Sequence, residues 1–406
     1  MNVKGSPVEG KERHLILDFL RGFALLGICL ANYPEFALYS FLESSAADAM
    51  PTATIDHGVK WLIYIFVDGK FYTIFSLLFG IGFSIILENN RRRGANGLRV
   101  FYRRMVILFI IGLMHLLLIW SGDILMLYAL VGMTLPLFLR LKDGQLLIWS
   151  FSFLALPVVI DTVCELAHVS LSSHLVEWQW LLCDRFGITE ANFAYWLHDA
   201  HSYSDMLKFL LMGAVERMQE FVDGNRYFKV LGLFLIGYYI GRQRLYANLR
   251  QYSGVLKRIC TAGLCLGVPL STIYAWSAIS DRPFGLGIHS LLYFVSVYLT
   301  SFGYVAGICT LYIGSKSKAG IWRALSFPGR MALTNYIGQS ALGVLLFYGV
   351  GFGLGAYMGL VYVELIAAGV FMLEVAFSIF WLKLFRFGPL EWVWRCLTYG
   401  RIFSPR

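Results

Sequence analysis

Apolar residues along this chain gather into long runs separated by polar loops. The windows 15–33, 71–88, 105–120, 123–140, 145–164, 227–241, 255–279, 286–314, 331–353 and 359–382 are the ten clearest. At 1.5 Å per helical residue, runs of this length cross roughly 30 Å of hydrocarbon. The pattern predicts an all-α, polytopic membrane protein of about ten transmembrane helices, a single transmembrane domain over 1–406. The first run continues past the short apolar core of a secretory signal, and no small-residue cleavage site follows it, so it is expected to stay as the first helix.

The loops carry the orientation. Arg91, Arg92, Arg93, Arg99, Arg103 and Arg104 share one loop region, and the positive-inside rule places it in the cytoplasm. Counting spans from there puts Arg140 and Lys142, the 242–258 cations, the 316–330 cations and Lys383, Arg386 and Arg395 on the same side, with both termini cytoplasmic. The opposite loops hold Glu35, Glu43, Asp48 and Asp56. The segment 165–226 also falls outside and is rich in acids. Its spaced aromatics, among them Trp178, Trp180, Tyr195 and Trp196, predict amphipathic helices at the outer interface, forming a lid or vestibule.

Composition agrees with the runs. Apolar residues make up 58% of the chain and charged residues 15%, and mean hydropathy is +0.65. The net charge of +9 resides in alternating loops, which is a topology signal and not a nucleic-acid patch. Seven cysteines, mostly within or beside spans, form no disulfide framework; pairing of Cys164 with Cys183 on the outer side is left open. Phosphate-loop, HExxH, CxxC and GxSxG signatures are absent, and the eight histidines lack metal-ligand spacing, so no metal is expected. Gly-rich "GVGFGLGAYMG" (349–359) follows a span and carries no lysine, which reads as a tight turn.

What remains is polar residues at membrane depth, each costing about 2.5 to 3.5 kcal/mol on insertion scales. One set lies on the cytoplasmic side. In "LDFLRGFALLGICLANY" (17–33), Asp18 and Arg21 share a helix face. Arg103 and Arg104, "GRMALTNY" with Arg330 and Asn335, and "GPLEWVWR" with Glu391 and Arg395 join them. The plain structural reading is a set of ion pairs, Asp18 with Arg21 and Glu391 with Arg395. The functional reading is that cations outnumber acids and hold an anionic group such as a phosphate.

The second set lies near the outer side. "GLMHLLLIWSGDIL" (112–125) turns one span into the next so tightly that His115 and Asp123 come within reach of each other. A carboxylate-oriented imidazole suits a general base or acyl carrier. "VDGKF" adds Asp68 and Lys70 on the same side. The plain alternative is a helix-capping Asp123 and a buried, hydrogen-bonding His115.

"LDFLRGFALLGI", "FSLLFGIG", "HLLLIWSGDIL", "GRMALTNYIGQS" and "GPLEWVWRCLTYG" resemble the YeiB-like family of bacterial membrane proteins, a domain-of-unknown-function family, from about residue 13 to residue 400. That likeness implies a multi-pass protein of the bacterial cytoplasmic membrane. More distantly, the "LDFLRG" opening resembles the transmembrane acyltransferases, which include the lysosomal enzyme that acetylates heparan glucosamine. This second resemblance implies transfer of an acyl group from cytoplasmic acyl-coenzyme A to an outer acceptor, a glycan or a lipid. The lysosomal relative uses a histidine in its first outer loop, and His57 occupies the comparable loop here. The alternative is a transporter of a small solute or lipid that uses intramembrane Asp, His and Lys. Inverted repeats would mark a transporter, and the two halves of this chain lack matching breaks. Membrane lipid is an expected partner, nucleic acid is not, and a homodimer stays open.

Overall fold

A computed structural model describes residues 14–406; the first thirteen residues, and with them the expected position of the N-terminus, lie outside the described residues. Every regular element among the described residues is helical. In chain order the α-helices are α1 (Leu15–Phe36), α2 (Ser44–Asp48), α3 (Ala53–Phe66), α4 (Lys70–Arg92), α5 (Gly97–Leu118) and α6 (Leu125–Gly132). Then come α7 (Asp143–Ala167), α8 (Ser173–Phe186), α9 (Glu190–Phe193), α10 (Trp196–Asp199), α11 (Tyr203–Asp223) and α12 (Arg226–Arg242). The last six are α13 (Ser253–Ile279), α14 (Gly285–Gly314), α15 (Ile321–Arg330), α16 (Ala332–Phe347), α17 (Leu360–Leu384) and α18 (Pro389–Tyr399).

Seven helical stretches are long and apolar enough to cross a membrane: Leu15–Phe36, Ala53–Arg92, Gly97–Leu118, Asp143–Ala167, Leu249–Ile279, Gly285–Gly314 and Leu360–Leu384. Leu125–Phe138 and Ala332–Phe347 are shorter apolar helices. Each of the ten expected windows holds a helix, but not always one of full length. The fourth window gives α6 and then a 3-10 turn at Leu135–Phe138, because Pro136 cannot continue the backbone ladder. The ninth stops at Phe347, where the glycine-rich stretch folds into turns; Gly349 N–H donates to Leu197 O and Ala356 N–H to Ala37 O.

Helix α3 corrects the expectation of a first outer loop without a helix. Asp56, His57 and Lys60 interrupt its apolar run, yet Asp56 is buried and accepts from the Val361 N–H at 2.8 Å, capping α17. The segment 165–226 folds as α8 to α11, with Trp178 and Trp180 exposed. Phe41 packs against Phe193 and Phe209, which ties that segment to the end of α1.

Helix α1 is the central strut: Leu25, Cys29 and Tyr33 are fully buried among α4, α15, α16 and α17. Its closest crossing is with α15. A Cβ on Gly22 would stand 1.9 Å from the Leu325 carbonyl oxygen, and one on Gly329 would stand 1.9 Å from that of Asp18. The two backbones touch because neither glycine has a side chain, and this contact fixes Arg21 beside Arg330 in register. On the periphery, Ile148, Phe151, Val159 and Val163 of α7 and Leu365, Met372, Leu373 and Phe380 of α17 are exposed. Such apolar faces are what a bilayer covers. All seven cysteines are free, Cys164 and Cys183 included.

Candidate functional site

A cavity of about 1250 Å³ runs beside α1. Its lining reaches from His14 and Asp18 at one end of that helix to Asn32 and Glu35 at the other. That interval is about 30 Å at helical rise, close to the thickness of a hydrocarbon core. The middle is apolar and aromatic, with Ile28, Phe75, Phe79, Met105, Leu108 and Tyr128 on its walls. Charged residues line both ends.

At the arginine end, Asp18, Arg21, Arg104, Arg330, Glu391 and Arg395 all line the cavity. Six of the eight residues expected there thus share one wall. Arg21 donates to Asp18 at 2.9 Å, as helical spacing required. Glu391 does not pair with Arg395. It accepts from the backbone N–H groups of Leu333 at 2.7 Å and Thr334 at 3.2 Å, and so caps α16. Burial raises the Glu391 carboxyl above its usual range, opposed by the hydrogen bonds from Thr334 and these N–H groups. The Arg104 guanidinium lies 3.7 Å from the Trp394 ring centroid, and Trp394 donates to the Arg104 carbonyl, which docks α18 on α5. Arg103 donates to Leu397 O, and buried Asn335 donates to Ser378 and Pro328; these two do not line the cavity. Four guanidinium groups and two carboxylates line this end among the described residues.

At the opposite end the lining contains Glu35, Asp68, Asp161, Glu216, Arg217, Glu220, Lys229 and His289. Arg217 gathers the acids of α1 and α11: it pairs with Glu220, reaches Glu35 at 3.4 Å, and donates to the Ser121 carbonyl at 3.0 Å. Glu216 lies in the same wall; burial, then the neighbouring Glu220 and Glu35, push its carboxyl up to about 7, against the lowering by Arg217. Asp161 accepts from Asn225 at 2.7 Å and from Ser290. Tyr274 donates to Asp68 at 2.7 Å and packs 5.1 Å from the His289 ring, whose Nδ1 meets the Ser277 hydroxyl at 3.0 Å.

His115 and Asp123 do meet: Nδ1 and Oδ1 are 2.9 Å apart, and both side chains are buried. The other Asp123 oxygen accepts from the Met126 N–H at 2.8 Å, holding the start of α6. Neither residue lines the cavity, although Tyr336, 5.4 Å from the His115 ring, does. Lys70 donates to the Tyr64 carbonyl at 2.7 Å and lies 5.4 Å from the Tyr274 ring, so its partners come from α3 and α13. His57 is exposed and paired with Asp48 at 3.0 Å. Asp68 is therefore the one expected outer residue that lines the cavity, and the residues beside it, Tyr274, Lys229 and His289, were missed. The available signal for His289 was the one used for His115, an ionisable side chain one turn inside an apolar run.

A bundle of apolar helices enclosing a cavity with charged ends defines a multi-pass helical membrane protein. A family described as protein of unknown function (DUF418) matches residues 240–401, the stretch that holds both C-terminal motifs. "Uncharacterized protein YxaH" of Bacillus subtilis (strain 168) is 30% identical over 97% of this chain and 96% of its own length. "Uncharacterized protein YeiB" of Escherichia coli (strain K12) is 29% identical over 95% of this chain and 96% of its own. The chain belongs to this family. No solved structure matches it.

Proposed function

We propose that this protein is a membrane-embedded acyltransferase that takes an acyl group, acetyl in the simplest case, from cytoplasmic acyl-coenzyme A. The acceptor, a glycan or lipid hydroxyl or amine, sits on the outer side. One observation carries the reading: a single cavity is lined at one end by Arg21, Arg104, Arg330 and Arg395 with two carboxylates, and at the other by a histidine, a lysine, three arginines and several carboxylates. Guanidinium groups suit donor phosphates. The apolar middle suits an acyl arm.

In this reading the acceptor gives its proton to His289 while its oxygen or nitrogen attacks the thioester carbonyl carbon. Lys229, whose Nζ lies 4.2 Å from the Tyr293 ring, faces the negative charge that develops on the carbonyl oxygen. The carbon–sulfur bond then breaks, and the leaving thiolate takes up the proton from His289. His115 and Asp123 stand behind this wall and hold the α5–α6 turn.

Donor binding tests the arginine end. Arg21→Ala is expected to weaken acetyl-coenzyme A binding about tenfold or more by calorimetry, since hydrogen bonds to charged groups contribute roughly 1.5 to 3 kcal/mol. Unchanged affinity in a folded variant returns Asp18 and Arg21 to a structural pair. Uptake of solute into proteoliposomes without acyl turnover would favour the transporter instead.

The orientation is part of the proposal. Loop charges support a cytoplasmic arginine end, cytoplasmic termini and an outer 165–226 segment. A cysteine placed at position 190 in an otherwise cysteine-free protein should react with an impermeant reagent added to intact cells, and one at position 94 should be spared. The reverse pattern would exchange donor and acceptor ends.

A further inference from the structure

Helices α4 and α12 pack backbone to backbone. A Cβ on Gly80 would stand 2.1 Å from the Phe234 carbonyl oxygen, one on Gly237 2.1 Å from that of Leu77, and one on Gly241 2.6 Å from the Ser84 Cβ. Gly80 with Ser84, and Gly237 with Gly241, are small residues four apart, the spacing that lets membrane helices approach closely. The C-terminal ends of the two helices therefore emerge together. Arg91 and Arg92 of one are brought beside Arg242 and Arg244 at the end of the other.

These side chains line a second hollow, of about 610 Å³, with Glu88 and Tyr246. Arg92 Nε and Arg244 Nη2 donate to the same Glu88 oxygen, at 2.9 and 2.8 Å. Arg244 does so from a left-handed backbone conformation, φ 51°, that non-glycine residues seldom adopt. Arg242 is engaged by Asp143 at 3.2 Å. A preference for cations in cytoplasmic loops accounts for the number of charges here but not for two guanidinium groups converging on one carboxylate oxygen. Both are about half exposed. His14, Ile85 and Asn89 line both this hollow and the main cavity, so the two adjoin.

We propose that this groove binds the 3′- and 5′-phosphates on the adenosine of the thioester donor, while the pantetheine-side phosphate stays with the Arg21 end and the thiol-bearing arm enters the main cavity past His14 and Asn89. The proposal rests on the acyl-donor reading and places a part of the donor that the Arg21 end does not. Two guanidinium forks already held in register by Glu88 present further N–H donors to phosphate oxygens.

Calorimetry on the purified full-length protein, with adenosine 3′,5′-bisphosphate and pantetheine as separate probes, tests it. The Arg92→Ala/Arg244→Ala double variant should bind the bisphosphate at least tenfold more weakly than wild type and pantetheine equally well. Lysine at both positions should recover part of the loss. Equal bisphosphate binding by wild type and the double alanine variant overturns the proposal, as does no binding by wild type. An arginine-dependent interaction with phosphatidylglycerol vesicles alone also overturns it, since the phosphate is then a lipid headgroup. Suppose instead that the bisphosphate binds through these arginines, yet acetyl-coenzyme A binds no tighter and Arg21→Ala changes nothing. The groove then stands and the acyl-donor reading falls.

Discussion

Gly329→Ala should leave a protein that is markedly less stable and, under the acyltransfer reading, has lost acyl-donor binding. The added Cβ would stand 1.9 Å from the Asp18 carbonyl oxygen and 2.8 Å from the Gly22 nitrogen, and both partners are backbone atoms with no rotamer to change. Only separation of α1 from α15 by more than an ångström relieves such a contact. Overpacking of this kind costs about 1 to 3 kcal/mol, and more where the backbone itself must move. Alanine recovers up to about 1 kcal/mol through helix propensity, which does not offset it. The displaced turns carry Asp18, Arg21 and Arg330, so the separation spreads the wall on which the donor reading depends. Gly369→Ala is the control: its Cβ meets nothing within 4 Å, in the middle of α17, and the substitution should be neutral or slightly stabilising. A melting temperature for Gly329→Ala equal to that of the control would show that the crossing tolerates bulk and that the register of the arginine end is set elsewhere.

The arginine end was legible in the sequence because its geometry is local. Asp18 and Arg21 share a turn of one helix, and loop charges place Arg104, Arg330, Glu391 and Arg395 at the same ends of their helices, so convergence needs little more than a topology. The Asp18–Arg21 pair was legible too, but the partners of Glu391 were not. Glu391 reads as an i, i+4 partner of Arg395, yet the start of α16 presents unsatisfied N–H groups that attract it more directly. The His115–Asp123 contact could be foreseen because only eight residues of tight hairpin separate the two. Asp68 and Lys70 show the limit. Their neighbours come from α3 and α13, more than 200 residues away in the case of Tyr274, and no spacing rule reaches that far. Helix α3 was missed for a different reason. Its charges break the apolar run that marks a span, although one of them, Asp56, is consumed in capping α17.

The largest expected effect on turnover separates the two histidines. Under the acyltransfer reading, His289→Ala should reduce acyl transfer by about 10² to 10⁴-fold, the usual contribution of a general base, while acetyl-coenzyme A affinity and melting temperature stay near wild type. His289 lines the cavity and is held by Ser277 and packed against Tyr274, so a cavity-facing truncation removes a proton acceptor and little packing. His115 differs in each respect. Its ring is buried behind the wall, its Nδ1 is bound to Asp123, and Asp123 also secures the first turn of α6. His115→Ala leaves a buried carboxylate without its partner, which costs about 1 to 3 kcal/mol or more, so melting temperature and yield should fall while turnover per folded molecule is retained. Asp123→Asn, which keeps an acceptor for the Met126 N–H, should lie between His115→Ala and wild type in stability. Melting temperature, donor affinity and transfer rate measured on one preparation of each variant decide the matter. If His115→Ala abolishes transfer in a stable protein and His289→Ala does not, the proton is handled at the α5–α6 turn through Tyr336, whose ring both lines the cavity and packs against His115.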